Sequence, residues 1–298
     1  ASGRKARVAG RAARTGAPRG RWGRNRSVPR LHREGQVLAL QGVGGRSPAM
    51  APLLSGDLAV ELGAVPLAYG AACAMAYATL RALSGALVPG WASLDARSRA
   101  NWWNRGTSAL NAVVIFGSAV LYVAWDNPAL VMRESMSDFE KTAIDMMIGY
   151  MLYDTVIELL DSSDPFALVH HTLGLVAHVV ARVNNSGASG LCIMLVFLAE
   201  SSTPLLHAGW LMNKLGKTDN AAFKLMGATL LLLFFVFRVV LGPFVMGILI
   251  VRRDAWRESW ENALMLVVMS GFTMLNWHWF HKLVSVVLSA GKPAEKKD

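Results

Sequence analysis

Residues 146–210 read MMIGYMLYDTVIELLDSSDPFALVHHTLGLVAHVVARVNNSGASGLCIMLVFLAESSTPLLHAGW, and this stretch decides the fold. Three apolar segments follow one another with very short connections. Each carries ionisable side chains: Asp154 and Glu158 in the first, His170, His171 and His178 in the second, Glu200 and His207 in the third. A carboxylate near the centre of a membrane span costs roughly 2.5–3.5 kcal/mol on insertion scales. Such residues persist where they face a polar interior or one another. The functional chamber is therefore expected here.

The rest of the chain agrees with a membrane setting. Over 298 residues, 53% are hydrophobic and 17% charged, with a mean hydropathy of +0.36. That is too apolar for an ordinary soluble domain and fits a polytopic helical bundle. The net charge of +10 misleads as a whole-chain figure. Residues 1–49 hold 12 of the 30 Lys and Arg residues and one acid, Glu34, for +11; the remainder sums to −1. The tail is Arg-, Gly- and Ala-rich and has no apolar period. Three readings stay open for it: an extension upstream of a start at Met50, an organelle-targeting peptide, or a disordered arm for nucleic acid or anionic lipid, densest at Arg19–Arg26. Cys73 and Cys192 lie inside apolar runs, where a buried thiol is the plain expectation.

Seven spans are expected: about 62–80, 107–125, 142–160, 166–183, 191–212, 222–251 and 263–288. A polar connection with Arg97, Arg99 and Arg105 follows the first. The turn at 161–165 offers Asp164 as a helix cap and Pro165 as a first helical residue. Gly242-Pro243 is the expected bend of the long sixth span. Basic connections after the first and fifth spans, with a basic C-terminus, put that end in the cytosol and Met50 across the membrane. Arg252, Arg253 and Arg257 run against this pattern, and Asp254, Glu258 and Glu261 partly offset them.

Within the spans, Tyr150, Asp154 and Glu158 share one helical face, since residues four apart are neighbours. For Asp154, a structural hydrogen bond to another span competes with a ligand contact. Asp145 and Asp161 are expected to be solvated at the membrane surface. His171 and His178 lie two turns apart on one face, and His170 points about 100° away. The adjacent pair His170 and His171 is the candidate catalytic or ligand-contacting element. Glu200, Thr203 and His207 form one stripe, and Pro204 should kink that span beside them. Arg238 stands in the middle of the sixth span and is expected to pair with Glu200 or Asp154. His278 and His281, beside Trp277 and Trp279, read as interfacial anchors. Di-iron bundles need repeated Glu-x-x-His pairs. None occurs, so neither metal nor cofactor is expected. No P-loop, dinucleotide glycine fingerprint or serine elbow is present.

Taken together, several pieces resemble the TLC domain, the six-helix membrane module of ceramide synthases, translocating-chain-associated proteins and small lipid-regulating proteins. They are Trp102-Trp103-Asn104-Arg105 with Ser108, Gly149-Tyr150 with Asp154, His170-His171, Glu200-Ser201-Ser202-Thr203-Pro204 with Trp210, and Phe234-Phe235 with Arg238. The resemblance implies an all-α fold, a leading span over residues 50–99 and a TLC module over 100–289, with a polar tail at 290–298. Ceramide synthases follow the paired histidines with a His-Asp and a further Asp. Here that stretch holds only Glu200, which is more like the non-synthase branch. The expected function is therefore binding or regulation of membrane lipids in the endoplasmic reticulum. The chamber would comprise Tyr150, Asp154, Glu158, His170, His171, His178, Glu200, Thr203, His207 and Arg238. Acyl-CoA-dependent N-acyl transfer, with acyl-CoA as substrate, is the second expectation. An accessory role beside other membrane proteins, in a mitochondrial or plastid membrane if residues 1–49 are a targeting peptide, is the third. No nucleic acid is expected for the folded body.

Overall fold

The structure is a computed structural model that describes residues 63–161, 165–256 and 259–290, with the backbone alone at 161 and 288–290. The tail 1–49, the side chain of Asp161, Asp164, Arg257, Glu258 and the tail beyond 290 lie outside the described residues. The described chain is helical throughout. Its elements are α1 (Val65–Leu87), α2 (Ala96–Leu121), α3 (Asp138–Asp161), α4 (Pro165–Asn184), α5 (Gly187–Val196), α6 (Thr203–Lys214), α7 (Ala221–Phe234), α8 (Leu241–Val251) and α9 (Ser259–Ala290). A 3₁₀ turn, Phe197–Ser202, joins α5 to α6, and a π turn, Phe235–Val240, joins α7 to α8. The described residues thus form seven rods, two of them broken. Five stretches are long and apolar enough to cross a membrane: 96–126, 165–184, 187–214, 221–251 and 259–287. The fold is an all-α polytopic membrane bundle.

Small residues set the closest crossing. α1 packs most extensively on α3, and there the backbones touch. A Cβ on Gly149 would overlap the carbonyl oxygen of Pro66, and one on Gly70 would stand 3.0 Å from the Gly149 carbonyl oxygen. Two glycines facing each other let helices approach where lipid gives no hydrophobic push. Around this crossing the core is built from Ile115, Tyr122, Ile144, Ile148, Met194 and Phe197.

Several sequence expectations are corrected. The second helix starts at Ala96, so Arg97, Arg99 and Arg105 lie on it rather than in a connection. Asp95 causes this: its carboxylate accepts from Ser98 N (2.8 Å) and Ser98 Oγ (2.8 Å), which caps the helix eleven residues before the apolar run. The cationic side chains then spread over aromatic faces, Arg99 over Trp91 (5.9 Å) and Arg105 over Trp210 (4.7 Å). Asp145 is not solvated. It is 3% exposed and pairs with Arg182 of α4 at 2.8 Å. The long sixth span is irregular at Phe235–Val240, before Gly242-Pro243 rather than at it. Pro243 has no N–H for the Val239 carbonyl four residues back. The Trp277 indole reaches that carbonyl instead, at 3.5 Å, and the preceding turn widens. Likewise the break in the fifth span is the 3₁₀ turn ahead of Pro204, which sits in the first turn of α6.

Candidate functional site

The two broken rods and the start of α2 leave a hollow of about 530 Å³ inside the bundle. Small-molecule sites commonly span ~300–1,000 Å³. Six rods line it. Asn104, Arg105 and Ser108 come from α2, Tyr150, Asp154 and Glu158 from α3, and His170 and His171 from α4. His207 and Trp210 come from α6, Arg238 from the π turn, and Trp279 and Lys282 from α9.

Asp154 is the centre of one wall. It is 3% exposed. Its Oδ1 accepts from Asn104 Nδ2 at 2.8 Å, and its Oδ2 accepts from Tyr150 OH at 2.9 Å. His171 Nε2 lies 3.1 Å from the same Oδ2. A carboxylate accepts, so Nε2 carries the proton and Nδ1 is the basic atom of that ring. Asn104 is itself held, since Tyr153 OH donates to its Oδ1 at 3.2 Å. Two donors, Asn104 and Tyr150, thus fix one carboxylate, which in turn fixes one imidazole.

A second cluster is held by Arg238. Its guanidinium donates from Nε to the Ala199 carbonyl (3.1 Å) and Ser202 Oγ (3.0 Å), and from Nη2 to Thr203 Oγ1 (2.9 Å). Nη2 also lies 3.4 Å from Glu200 Oε1, and Thr203 Oγ1 donates to Glu200 Oε2 at 2.8 Å. The arginine of one broken rod therefore ties down the 3₁₀ turn of the other. Both irregular segments exist where that tie is made, and π turns recur at functional sites.

The remaining predicted residues divide. His170 is packed edge-on between Phe272 (4.9 Å) and Trp279 (5.4 Å). Glu200 is engaged by Arg238 and Thr203, and His207 has other partners. It joins α2 instead, with Nδ1 3.3 Å from Arg105 Nη1 and Nε2 3.1 Å from Ser108 Oγ. Glu158 lines the hollow, whereas Glu200 and His178 do not. His178 stacks on Phe197 at 5.5 Å and lines a smaller hollow behind Arg238. Asn104 and Arg105, noted in the sequence only as part of the family resemblance or of a polar connection, and Lys282, not noted at all, also line the hollow. The early start of α2 brings in Asn104 and Arg105. Among the described residues no group of three or more His, Cys, Asp or Glu side chains could hold a metal ion.

The hollow can therefore offer an imidazole backed by a fixed carboxylate, together with cationic groups at Arg105, Arg238 and Lys282. The TLC domain matches residues 101–285. No curated protein matches the chain. With a match over more than half its length and apolar helices to span the bilayer, the chain belongs to the TLC-domain family and is an integral membrane protein of that lipid-related family.

Proposed function

We propose that the protein binds a membrane lipid in the 530 Å³ hollow and so regulates membrane lipid composition or traffic, in the endoplasmic reticulum. The observation that carries this is the two-sided lining. Asp154, His171 and Asn104 offer a polar wall, and Leu206, Phe234, Leu283 and Val286 offer an apolar one. A lipid's polar head suits the first and its hydrocarbon suits the second. Buried polar groups of this kind inside a bilayer are costly, and are kept where they meet a partner. The test is mass spectrometry of lipid retained by the purified protein, against Ala167→Trp, which fills the hollow from α4. The variant should lose roughly tenfold in retained lipid, about 1.4 kcal/mol in affinity. Equal retention would overturn the reading.

A second reading is favoured by one distance, the 3.1 Å between His171 Nε2 and Asp154 Oδ2. A carboxylate that orients an imidazole and stabilises its protonated form is the arrangement of a general base. In acyl transfer from acyl-CoA to a lipid amine, His171 Nδ1 would take the amine proton as the new amide forms and the thiolate of CoA leaves. Turnover of acyl-CoA with a panel of lipid amines, abolished by His171→Ala, would establish it. Silence across the panel would leave the lipid-binding function.

A further inference from the structure

A second hollow of about 60 Å³ lies beyond Arg238 and His170, both of which line it and the large one. One water needs ≳10–15 Å³ of such space, so there is room for a small group or a few waters. Met147, Met151, Phe197, Met269 and Phe272 are among the apolar residues of its wall.

Two buried acceptors are set into that apolar wall. His178 is 6% exposed. Its Nδ1 meets the Gly174 carbonyl, which can only accept, so Nδ1 carries the proton and Nε2 is a bare lone pair. Nε2 is buried without a hydrogen-bond partner. Asn276, from α9, is 9% exposed, and its Oδ1 is likewise buried without a partner. Leaving such an atom unpaired in an apolar wall is costly. These two, with the unpartnered His170 Nδ1 in the same wall, point to a missing partner in a hollow that has room for one.

We propose that this inner hollow is a binding site for a neutral hydroxyl group, which donates its O–H to His178 Nε2 or Asn276 Oδ1. Carboxylates and phosphate esters without a hydroxyl offer no donor. Arg238 and Glu200, the charged residues in the wall, are paired with each other, so no net charge draws in an ion. The hydroxyl can belong to water or to a lipid. With water as the guest the proposal stands whether or not the large hollow holds lipid; with a lipid hydroxyl it rests on that reading, because a 60 Å³ space holds only the hydroxyl end.

Two measurements on the full-length protein in phosphatidylcholine nanodiscs separate the sources. Radiolytic footprinting reads water bound beside buried methionines. Met151 and Met269 line the hollow, and Met194, fully buried elsewhere, is the control. If water is the guest, Met151 and Met269 are oxidised several-fold faster than Met194, and His178→Phe with Asn276→Leu removes the excess. The phenyl ring keeps the stack on Phe197. If a lipid hydroxyl is the guest, the protein retains diacylglycerol several-fold over its O-methylated analogue by mass spectrometry, and the same double variant removes that preference. Methionine oxidation at the control rate together with equal retention of the two lipids overturns the proposal. Both measurements can fail in the wild-type protein, so the proposal can be overturned whether or not the double variant folds. Lipid retention by the Ala167→Trp variant reports separately on the large hollow.

Discussion

Two polar clusters sit inside this bundle, and they differ in how completely they are satisfied. One lies where α2 ends and α3 begins. Glu140 is 1% exposed. Its oxygens accept from Tyr122 OH (2.9 Å) and Ser137 N (2.7 Å), and Ser137 Oγ accepts from Glu140 N (3.2 Å), a reciprocal cap on α3. Asn127 donates to Tyr122 OH (2.7 Å) and the Val131 carbonyl (2.9 Å) and accepts from Val131 N (3.0 Å). Arg133 binds Asp126 at 2.7 Å, and this partner raises the arginine pKa above its ordinary value. Gly190 packs so closely that a Cβ would stand 2.8 Å from Glu140 Oε1. Nothing there awaits a ligand. In the other cluster, the Nδ1 atoms of His170 and His171 and Nε2 of His178 are buried without partners. Completeness marks a structural network, and open acceptors beside a hollow mark a receptive one.

The largest effect should come from breaking the complete network. Glu140→Ala strands the Tyr122 hydroxyl and the Ser137 amide, so a loss of about 3–5 kcal/mol is expected from two buried orphans and the lost cap. Thermal unfolding in detergent measures it. Lipid retained per folded molecule should not change. A variant that unfolds normally, or one that stays folded but sheds lipid, would erase the distinction between the two clusters.

Arg238 tests the charged tie within the second cluster. Arg238→Met leaves Glu200 without its cation and should cost about 3 kcal/mol or more. Adding Glu200→Gln should recover part of this, because the stranded charge is gone. A double-mutant cycle gives the coupling. Strict additivity would mean that the 3.4 Å pair does nothing for stability and that the tie to Thr203 and Ser202 carries the effect.

Asp154→Asn should affect stability less and function more. An amide in place of the carboxylate can accept from Asn104 or Tyr150 but not from both, a loss of about 1–2 kcal/mol. In either orientation the negative charge beside His171 is gone, and with its oxygen turned to Asn104 the amide presents a donor to His171 Nε2–H. Retained lipid, or acyl-transfer turnover under the second reading, should fall about tenfold or more while the protein stays folded. A variant as active as the wild type would show that the carboxylate does not serve the imidazole.

How far the sequence reaches follows from what each residue reveals by itself. Asp154, His171, Glu200 and Arg238 announce themselves because an ionisable group in an apolar run has few places to go. That Arg238 pairs with Glu200 or Asp154 follows from the same cost, and only the packing selects Glu200. Asp145 misleads because it sits near the end of a span, where solvation is cheap; only the packing of α3 on α4 shows Arg182 waiting. The spacing of Glu200, Thr203 and His207 does not show their partners, Arg238 for the first and Arg105 with Ser108 for the last. Ser137-x-x-Glu140 is legible as a capping box before an apolar run, and would have located the complete network. Asp95 with Ser98 would have done the same for the start of α2, and so for Asn104 and Arg105.

The smallest effect belongs to that cap. Asp95 lies at an exposed helix end, where hydrogen bonds from Ser98 N and Oγ, with lesser help from Lys214, hold its carboxyl pKa below the ordinary 3.8. A lowered folded pKa means that the charged cap stabilises the fold above the ordinary value. The contribution fades as pH falls through that value and is gone below the lowered one. Asp95→Ala should therefore lower Tm modestly at neutral pH, and the gap between variant and wild type should close on acidification. Asp95→Asn keeps a capping oxygen without the charge, so its Tm should lie between the two and show no acid step of its own. A gap that stays constant down to the acid limit would mean that the carboxylate's charge contributes nothing. The early start of α2, and with it the placement of Asn104 against Asp154, would then rest on packing alone.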